Sequence, residues 1–260
     1  VEFELNEDTN VVSIKCGNSK FELIGISAQE FPKTEEEIKD GTETEIETEP
    51  FLKAIKNTVY AAANYENRNV ISGVLCLLKE DKLEMAATDG NRLTRIIEKI
   101  DNKGGKTTKI VIPSKTLNEF QRICSLNSYD KVTLITDKSK LVIKTSDLTV
   151  NSGLISGEYP PYEQLIPKTT SNNATVSAGD LISALDRVST MVNDRTSIVK
   201  FTFNESKLEL KAETPNSGTS EDVIDCKYSG EELSIAFNYK YVLDSVKTSD
   251  AEKINIGLNG

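Results

Sequence analysis

The order of helix-like and strand-like stretches in this 260-residue chain runs once and then starts again. A helical stripe at Leu52, Ile55, Val59 and Ala62 returns as Leu181, Ala184, Leu185, Val188, Met191 and Val192, with Leu52 matching Leu181 at an offset of 129. The loop Asn67-Arg68 returns as Asp194-Arg195 at 127, the helix at Lys115 as Lys240 at 125, and the strand at Lys131 as Lys253 at 122. The slow drift is what small loop deletions produce. Self-similarity of this kind means that one supersecondary unit is used repeatedly.

Each whole unit reads β-α-β-β-β-β-α-β-β-β. Strands are expected at 2–5, 11–16, 19–26, 70–78, 82–87, 92–100, 109–112, 131–136, 140–144 and 148–155, on alternation and turn signals. The first helix carries Pro50 in its first turn, with Lys53, Lys56, Tyr60 and Asn64 opposite the apolar stripe. The second, 114–125, turns Leu117, Phe120 and Cys124 inward. In the second cycle, strands are expected at 174–176, 197–203, 207–212, 222–228, 233–237 and 253–258, with helices on the 181–192 stripe and at 238–247. Two helices and eight strands per unit imply an α+β fold with helix pairs on one face of curved antiparallel sheets. The chain then holds the tail of one unit (1–33), a whole unit (34–168) and most of a third (169–260). The repeat length implies roughly 90 residues upstream and roughly 35 downstream. The Val1-Glu2-Phe3 opening, without Met, reads as a processed or trimmed product.

The chain has no histidine, which removes Ser-His-Asp and Cys-His chemistry and His-based zinc sites. Cys16, Cys76, Cys124 and Cys226 contain no C-x-x-C pair and read as reduced core residues of a cytoplasmic protein. No apolar run approaches the roughly 20 residues of a membrane span. The acidic stretch from Lys33 to Glu49 reads as a solvated connector whose second half, 42–47, alternates like a strand.

The net charge is −10, with 31 basic and 41 acidic residues, and alone it argues against a nucleic-acid partner. Its distribution says otherwise. The helical segments 49–65, 114–125, 178–192 and 238–247 hold seven cations and five acids, net +2, leaving −12 on everything else. Cations recur on the outward faces of the helices, as Lys53/Lys56, Lys115/Arg122 and Lys240/Lys247. A single lysine there is an ordinary solvated side chain. The recurrence points to a layer that faces a polyanion.

The run Ala87-Thr88-Asp89-Gly90-Asn91-Arg92-Leu93 resembles the Ala-Thr-Asp-Gly-His-Arg-Leu signature of the bacterial sliding clamps, the beta subunits of DNA polymerase III. Further landmarks follow in that family's order. They are Glu66-Asn67-Arg68 before Ser72-Gly73-Val74, then Gly157-Glu158-Tyr159-Pro160-Pro161-Tyr162 with Leu165-Ile166-Pro167, then the run from Ile235 to Asp244. The resemblance covers essentially the whole chain. It implies three clamp domains per chain and a two-chain ring around duplex DNA, acting as a processivity factor with no catalysis and no cofactor. It places Lys53, Lys56, Arg68, Lys115, Arg122, Arg187, Lys240 and Lys247 toward DNA. It also implies a pocket in which the polymerase catalytic subunit and the clamp loader insert a Gln-Leu-Phe-like peptide. That pocket maps to Ile71, Thr88, Gly90, Asn91, Arg92, Leu93, Pro160, Gln164, Leu165, Asn238 and Tyr241. Asn91 stands for the usual His, Gln164 for a frequent Arg and Pro161 for a common Asp, so the polar rim departs from the family more than the apolar floor does.

Two other readings compete. One is a metal-dependent hydrolase on the acidic loops, which the lack of His and of D-x-D or H-x-x-E clusters opposes. The other is a non-catalytic repeat interaction protein such as an adhesin, which reduced cysteines oppose. Thr88-Asp89-Gly90 is in any case a turn-forming sequence between strands.

Overall fold

A computed structural model of the chain describes residues 1–31, 38, 41–64, 69–102, 107–193, 196–215 and 217–259. Arg68, the Asn67-Arg68 and Asp194-Arg195 loops, Gly104-Gly105 and most of the acidic stretch before residue 41 lie outside them. The chain divides into two units, Val1–Glu37 and Ile38–Gly260.

The first unit is an antiparallel meander of β1 (Glu2–Asn6), β2 (Val11–Cys16) and β3 (Ser19–Ile24). The β1–β2 turn is tied by Asn6, whose side-chain oxygen accepts from the amides of Asp8 and Thr9 at 3.1 Å each. None of its described residues is buried. Cys16 is therefore exposed, against the expectation of a core thiol, because it falls at the end of β2 beside the Gly17 turn. The other three cysteines are buried, and all four are free.

The second unit contains one full cycle and most of a second. The full cycle is β4 (Thr42–Glu47), α1 (Thr48–Lys56), β5 (Gly73–Leu78), β6 (Lys82–Thr88), β7 (Leu93–Lys99), β8 (Thr108–Pro113), α2 (Ser114–Cys124), β9 (Lys131–Thr136), β10 (Lys140–Lys144) and β11 (Thr149–Gly153). It forms two four-stranded antiparallel sheets, ordered β11-β10-β9-β4 and β7-β6-β5-β8. The next cycle runs β12 (Asn172–Ser177), α3 (Ala178–Val188), β13 (Ile198–Phe203), β14 (Lys207–Thr214), β15 (Gly218–Ser229), β16 (Leu233–Asn238), α4 (Tyr239–Thr248) and β17 (Lys253–Leu258). Its strands join into one six-stranded sheet, β16-β13-β14-β15-β12-β17. The reason is length. β15 has 12 residues, so Gly218–Asp225 pairs with β14 and Cys226–Ser229 with β12. Its counterpart β7 has 7 residues and pairs with β6 alone among the described residues.

Helix pairs lie on these sheets, with α1 against α2 and α3 against α4. In the full cycle, Phe51 of α1 meets Phe120 of α2 at 5.7 Å between ring centroids, over Leu83, Met85, Leu134 and Leu141. In the next, Leu181, Ala184, Leu185 and Val188 present one stripe of α3 to Phe201 and Phe203. Each such large side chain contributes about 1.5–3 kcal/mol when fully buried. Ser177 caps α3 by accepting from the amide of Asp180 at 3.3 Å.

Several elements depart from expectation: β15 starts four residues before the expected 222, and α3 ends at Val188, with a 3₁₀ turn at Ser189–Met191 where its stripe is expected to reach Val192. The first helix ends at Lys56, and a short 3₁₀ turn, Val59–Ala61, replaces its expected last turns. Its buried stripe is Phe51, Ala54 and Ile55, while Leu52 is half-buried. The strand expected at 70–78 begins as a 3₁₀ turn, Val70–Ser72.

Candidate partner site and helical face

β6 and β7 are joined by Asp89-Gly90-Asn91-Arg92, and the side chains of Thr88 and Asp89 tie this turn. Thr88 Oγ1 donates to the Arg92 carbonyl at 2.6 Å and accepts from the Gly90 amide at 3.1 Å. Asp89 accepts from the amides of Asn91 and Arg92 at 2.9 and 3.0 Å. Gly90 has φ +90°, a conformation that favours glycine. The turn therefore projects Arg92 in one direction.

Arg92 reaches across to the next cycle. Its guanidinium bonds Asp89 at 3.0 Å, Asp244 of α4 at 2.7 Å and the Tyr60 carbonyl at 2.7 Å. Its Cζ also lies 4.4 Å from the Tyr241 ring centroid and 5.3 Å from that of Tyr60. A planar, always-charged fork meets two carboxylates, a carbonyl and two aromatic faces at once. Nearby, Tyr60 Oη and Ser245 Oγ are 3.3 Å apart, and Lys56 pairs with Asp250 at 2.8 Å. These contacts make α1 and α4 neighbours across the junction of the two cycles.

Beside this junction lies an apolar cavity of about 320 Å³. Asn91, Arg92, Asn238 and Tyr241 line its rim, and Phe201, Phe237 and other core side chains of the later cycle line its floor. Asn238 has a local duty as well: its side chain caps α4, accepting from the Lys240 amide at 3.0 Å. The other expected pocket residues do not line this cavity. Thr88 and Gly90 belong to the turn behind it. Leu93 packs on the cluster of Leu75, Ala86, Tyr159 and Tyr162. Ile71 sits in the Val70–Ser72 turn, where its carbonyl accepts from Ala63 at 2.9 Å. Pro160 is half-buried, Gln164 exposed, and Leu165 is 70% exposed.

The segment bearing Pro160, Gln164 and Leu165 is fastened to the β5–β8 sheet by two tyrosines. Tyr159 donates to the Gly73 carbonyl at 3.5 Å, and burial pushes its hydroxyl up to about 12. Tyr162 donates to Glu84 at 2.6 Å, and Arg95 bonds the same carboxylate oxygen at 2.7 Å. Burial opposes the charge on Glu84, but those two hydrogen bonds outweigh it and hold its carboxyl below the usual range. Sequence reasoning misses Glu84, although an acid inside the apolar run 83–87 is a usable signal.

On the helices, Lys53, Lys115, Arg122, Arg187, Lys240 and Lys247 are exposed and Lys56 is half-buried. Most are paired: Lys53 with Glu98 at 2.9 Å, Arg122 with Glu119 at 2.9 Å, Arg187 with Asp222 at 2.6 Å and Lys247 with Asp186 at 3.3 Å. Lys115 and Lys240 have no carboxylate partner among the described residues, and Lys240 lies 6.0 Å from the Tyr239 ring. Among the described residues, no helix is long and apolar enough to cross a membrane.

Comparison with known proteins accounts for the repeat. Residues 45–161 match the central domain of the DNA polymerase III beta subunit, and 163–260 match its C-terminal domain. The chain is 29% identical to the beta sliding clamp of Synechocystis sp. over 97% of its own length and 68% of that protein. It is 28% identical to the Bacillus subtilis clamp over 100% of its length and 69% of the relative. The beta subunit of Thermotoga maritima superposes with a TM-score of 0.87 at 26% identity, covering 99% of this chain and 69% of that one. The Bartonella birtlesii clamp, solved bound to griselimycin, superposes with 0.88 at 27% identity, covering 99% and 70%. Domain models, relatives and solved structures agree, and the hydrolase reading has no support among them: the chain belongs to the DNA polymerase III beta subunit family, the bacterial sliding clamps, which are non-catalytic processivity factors.

Proposed function

We propose that this clamp chain presents its four helices to duplex DNA and offers a peptide site at the junction of its central and C-terminal domains to the polymerase III catalytic subunit and the clamp loader. In the complete protein two chains close a ring, and the work is done in the cytoplasm. The domain division is 1–33, 34–168 and 169–260. Lys53, Lys56, Arg68, Lys115, Arg122, Arg187, Lys240 and Lys247 make mobile, sequence-blind phosphate contacts. A ring held on DNA by topology does not need tight ones.

The observation that carries the peptide reading is the junction itself. An apolar cavity is rimmed by Asn91, Arg92, Asn238 and Tyr241, and the exposed Leu165 stands on the connecting segment. Apolar walls with a few orienting polar groups are what a short Leu- and Phe-bearing peptide requires. The test is a Gln-Leu-Phe-type peptide titrated by fluorescence against the chain and against Leu165→Asp. Leu165 is exposed in the free protein, so the substitution leaves the fold intact. A bound peptide would bury the new carboxylate against apolar groups, and binding is expected to fall at least tenfold. Equal binding by both proteins would move the site elsewhere.

A further inference from the structure

Glu84 is 2% exposed in the middle of β6, a strand whose neighbours Leu83, Met85, Ala86 and Ala87 are all apolar and buried. A carboxylate there is costly unless it is fully bonded. One of its oxygens accepts from Arg95 Nε at 2.7 Å and from Tyr162 Oη at 2.6 Å. An apolar residue at position 84 would pack as well and would leave the buried hydroxyl of Tyr162 without its acceptor. The carboxylate therefore serves Tyr162 as well as Arg95.

Tyr162 in turn governs the segment that follows it. It opens the 3₁₀ turn Tyr162–Gln164. Its amide donates to the Pro160 carbonyl at 2.7 Å, and its own carbonyl accepts from the Leu165 amide at 3.0 Å. Pro160 on one side and Leu165 on the other are thus set by where the Tyr162 backbone sits. The buried ring also meets Tyr159 edge-on at 6.5 Å. Gln164 and Leu165 are themselves exposed, and Ile166, the next residue, packs on the same cluster as Tyr162.

We propose that Glu84, which does not line the apolar cavity, is a positioning residue for the partner site: through Tyr162 it fixes the segment that presents Pro160, Gln164 and Leu165. The inference rests on the peptide site proposed above. The carboxylate holds the segment in its binding geometry before the partner arrives, so the ordering cost is not taken from the binding free energy.

The experiment compares Tyr162→Phe, Glu84→Ala, Glu84→Gln and the double variant Glu84→Ala/Tyr162→Phe with the parent chain, well below their melting temperatures. The readouts are affinity for the Gln-Leu-Phe-type peptide and hydrogen exchange at the Gln164 and Leu165 amides. Tyr162→Phe and Glu84→Ala are expected to exchange faster at those amides and to bind roughly fivefold more weakly, the scale of one hydrogen bond. Glu84→Gln keeps an acceptor oxygen and restores most of the affinity. The double variant is no weaker than the worse single one, because both changes break the same link. Parent-level affinity, or unchanged exchange at both amides, in Tyr162→Phe overturns the inference, even if the variant melts lower. Should Glu84→Ala fail to fold, Tyr162→Phe and Glu84→Gln carry the test. If the parent chain does not bind the peptide, the pocket reading fails first, and the exchange data still report whether Glu84 and Tyr162 hold the segment.

Discussion

At the scale of single residues, Arg92 joins the two clamp domains. Its side chain starts on the β6–β7 turn of one and ends on Asp244 and Tyr241 of the other, with Tyr60 on its second face. Two features make the position intolerant of change. The guanidinium is largely covered, so removing it strands the Tyr60 carbonyl and leaves Asp89 and Asp244 without their shared cation. Its planar fork also supplies geometry that an ammonium lacks. Arg92→Ala is expected to lower stability by about 2–3 kcal/mol, through the missing charge-assisted hydrogen bonds. Arg92→Lys should recover less than half of that. Urea unfolding measures both. Full recovery by lysine would show that charge alone matters here and that the fork and the two aromatic faces contribute nothing. Asp244→Asn should cost less than about 1 kcal/mol, since Asp244 is nearly half exposed and such pairs are weak.

At the scale of elements, α1 shows why a legible pattern misjudges a length. The apolar period of the sequence continues to Ala62, but the helix stops at Lys56. Asn57 and Thr58 turn their side chains back onto its last carbonyls: Asn57 Nδ2 donates to Lys53 at 2.9 Å and Thr58 Oγ1 to Ala54 at 2.7 Å. Such back-bonding gives the backbone an alternative to continuing the helix. Thr58 is fully buried, so Thr58→Val keeps the shape and removes the bond, at an expected cost of about 1 kcal/mol. A variant as stable as the parent would leave the helix end unexplained. Other elements are readable to within a residue: β9 and β17 alternate cleanly, β10 is a short apolar run between lysines, and all three begin and end where the pattern does. The long β15 is not. Its first four residues, Gly218 to Glu221, contain no apolar residue and become strand through pairing with β14. In the site, the Thr88–Arg92 turn can be read from Asp-Gly, a local signal. Asp244 meets Arg92 from 152 positions away, and Glu84 meets Tyr162 from 78, so no local pattern announces either contact.

At the scale of the molecule, charge distribution sets how strongly the proposed helical face would hold DNA. α1 packs against α2 and α3 against α4, and Lys56 at the end of α1 pairs with Asp250 just past α4; together the four helical segments carry net +2 on a chain of net −10. At physiological salt the Debye length is about 8 Å, so acids on the far sheets are largely screened from a duplex lying on the helices. On these helices, five of the described cations already face carboxylates, and any phosphate that approaches them must compete with a neighbour in place. Lys115 and Lys240 have no such competitor among the described residues. The chain should therefore bind duplex DNA weakly and without sequence preference, and these two lysines should carry more than their share. Lys115→Glu/Lys240→Glu is expected to lower the slope of log affinity against log salt by about 1.8 in magnitude, at about 0.9 for each phosphate no longer neutralised. Affinity should fall by the same factor on two duplexes of unrelated sequence, measured by fluorescence anisotropy between about 50 and 150 mM salt. Reversing Lys53 and Lys56 should cost less, because those two lysines already share their charge with Glu98 and Asp250. A larger effect from Lys53 and Lys56 would mean that surface ion pairs yield to phosphate at no cost. No effect from either pair would mean that DNA does not lie on the helices at all.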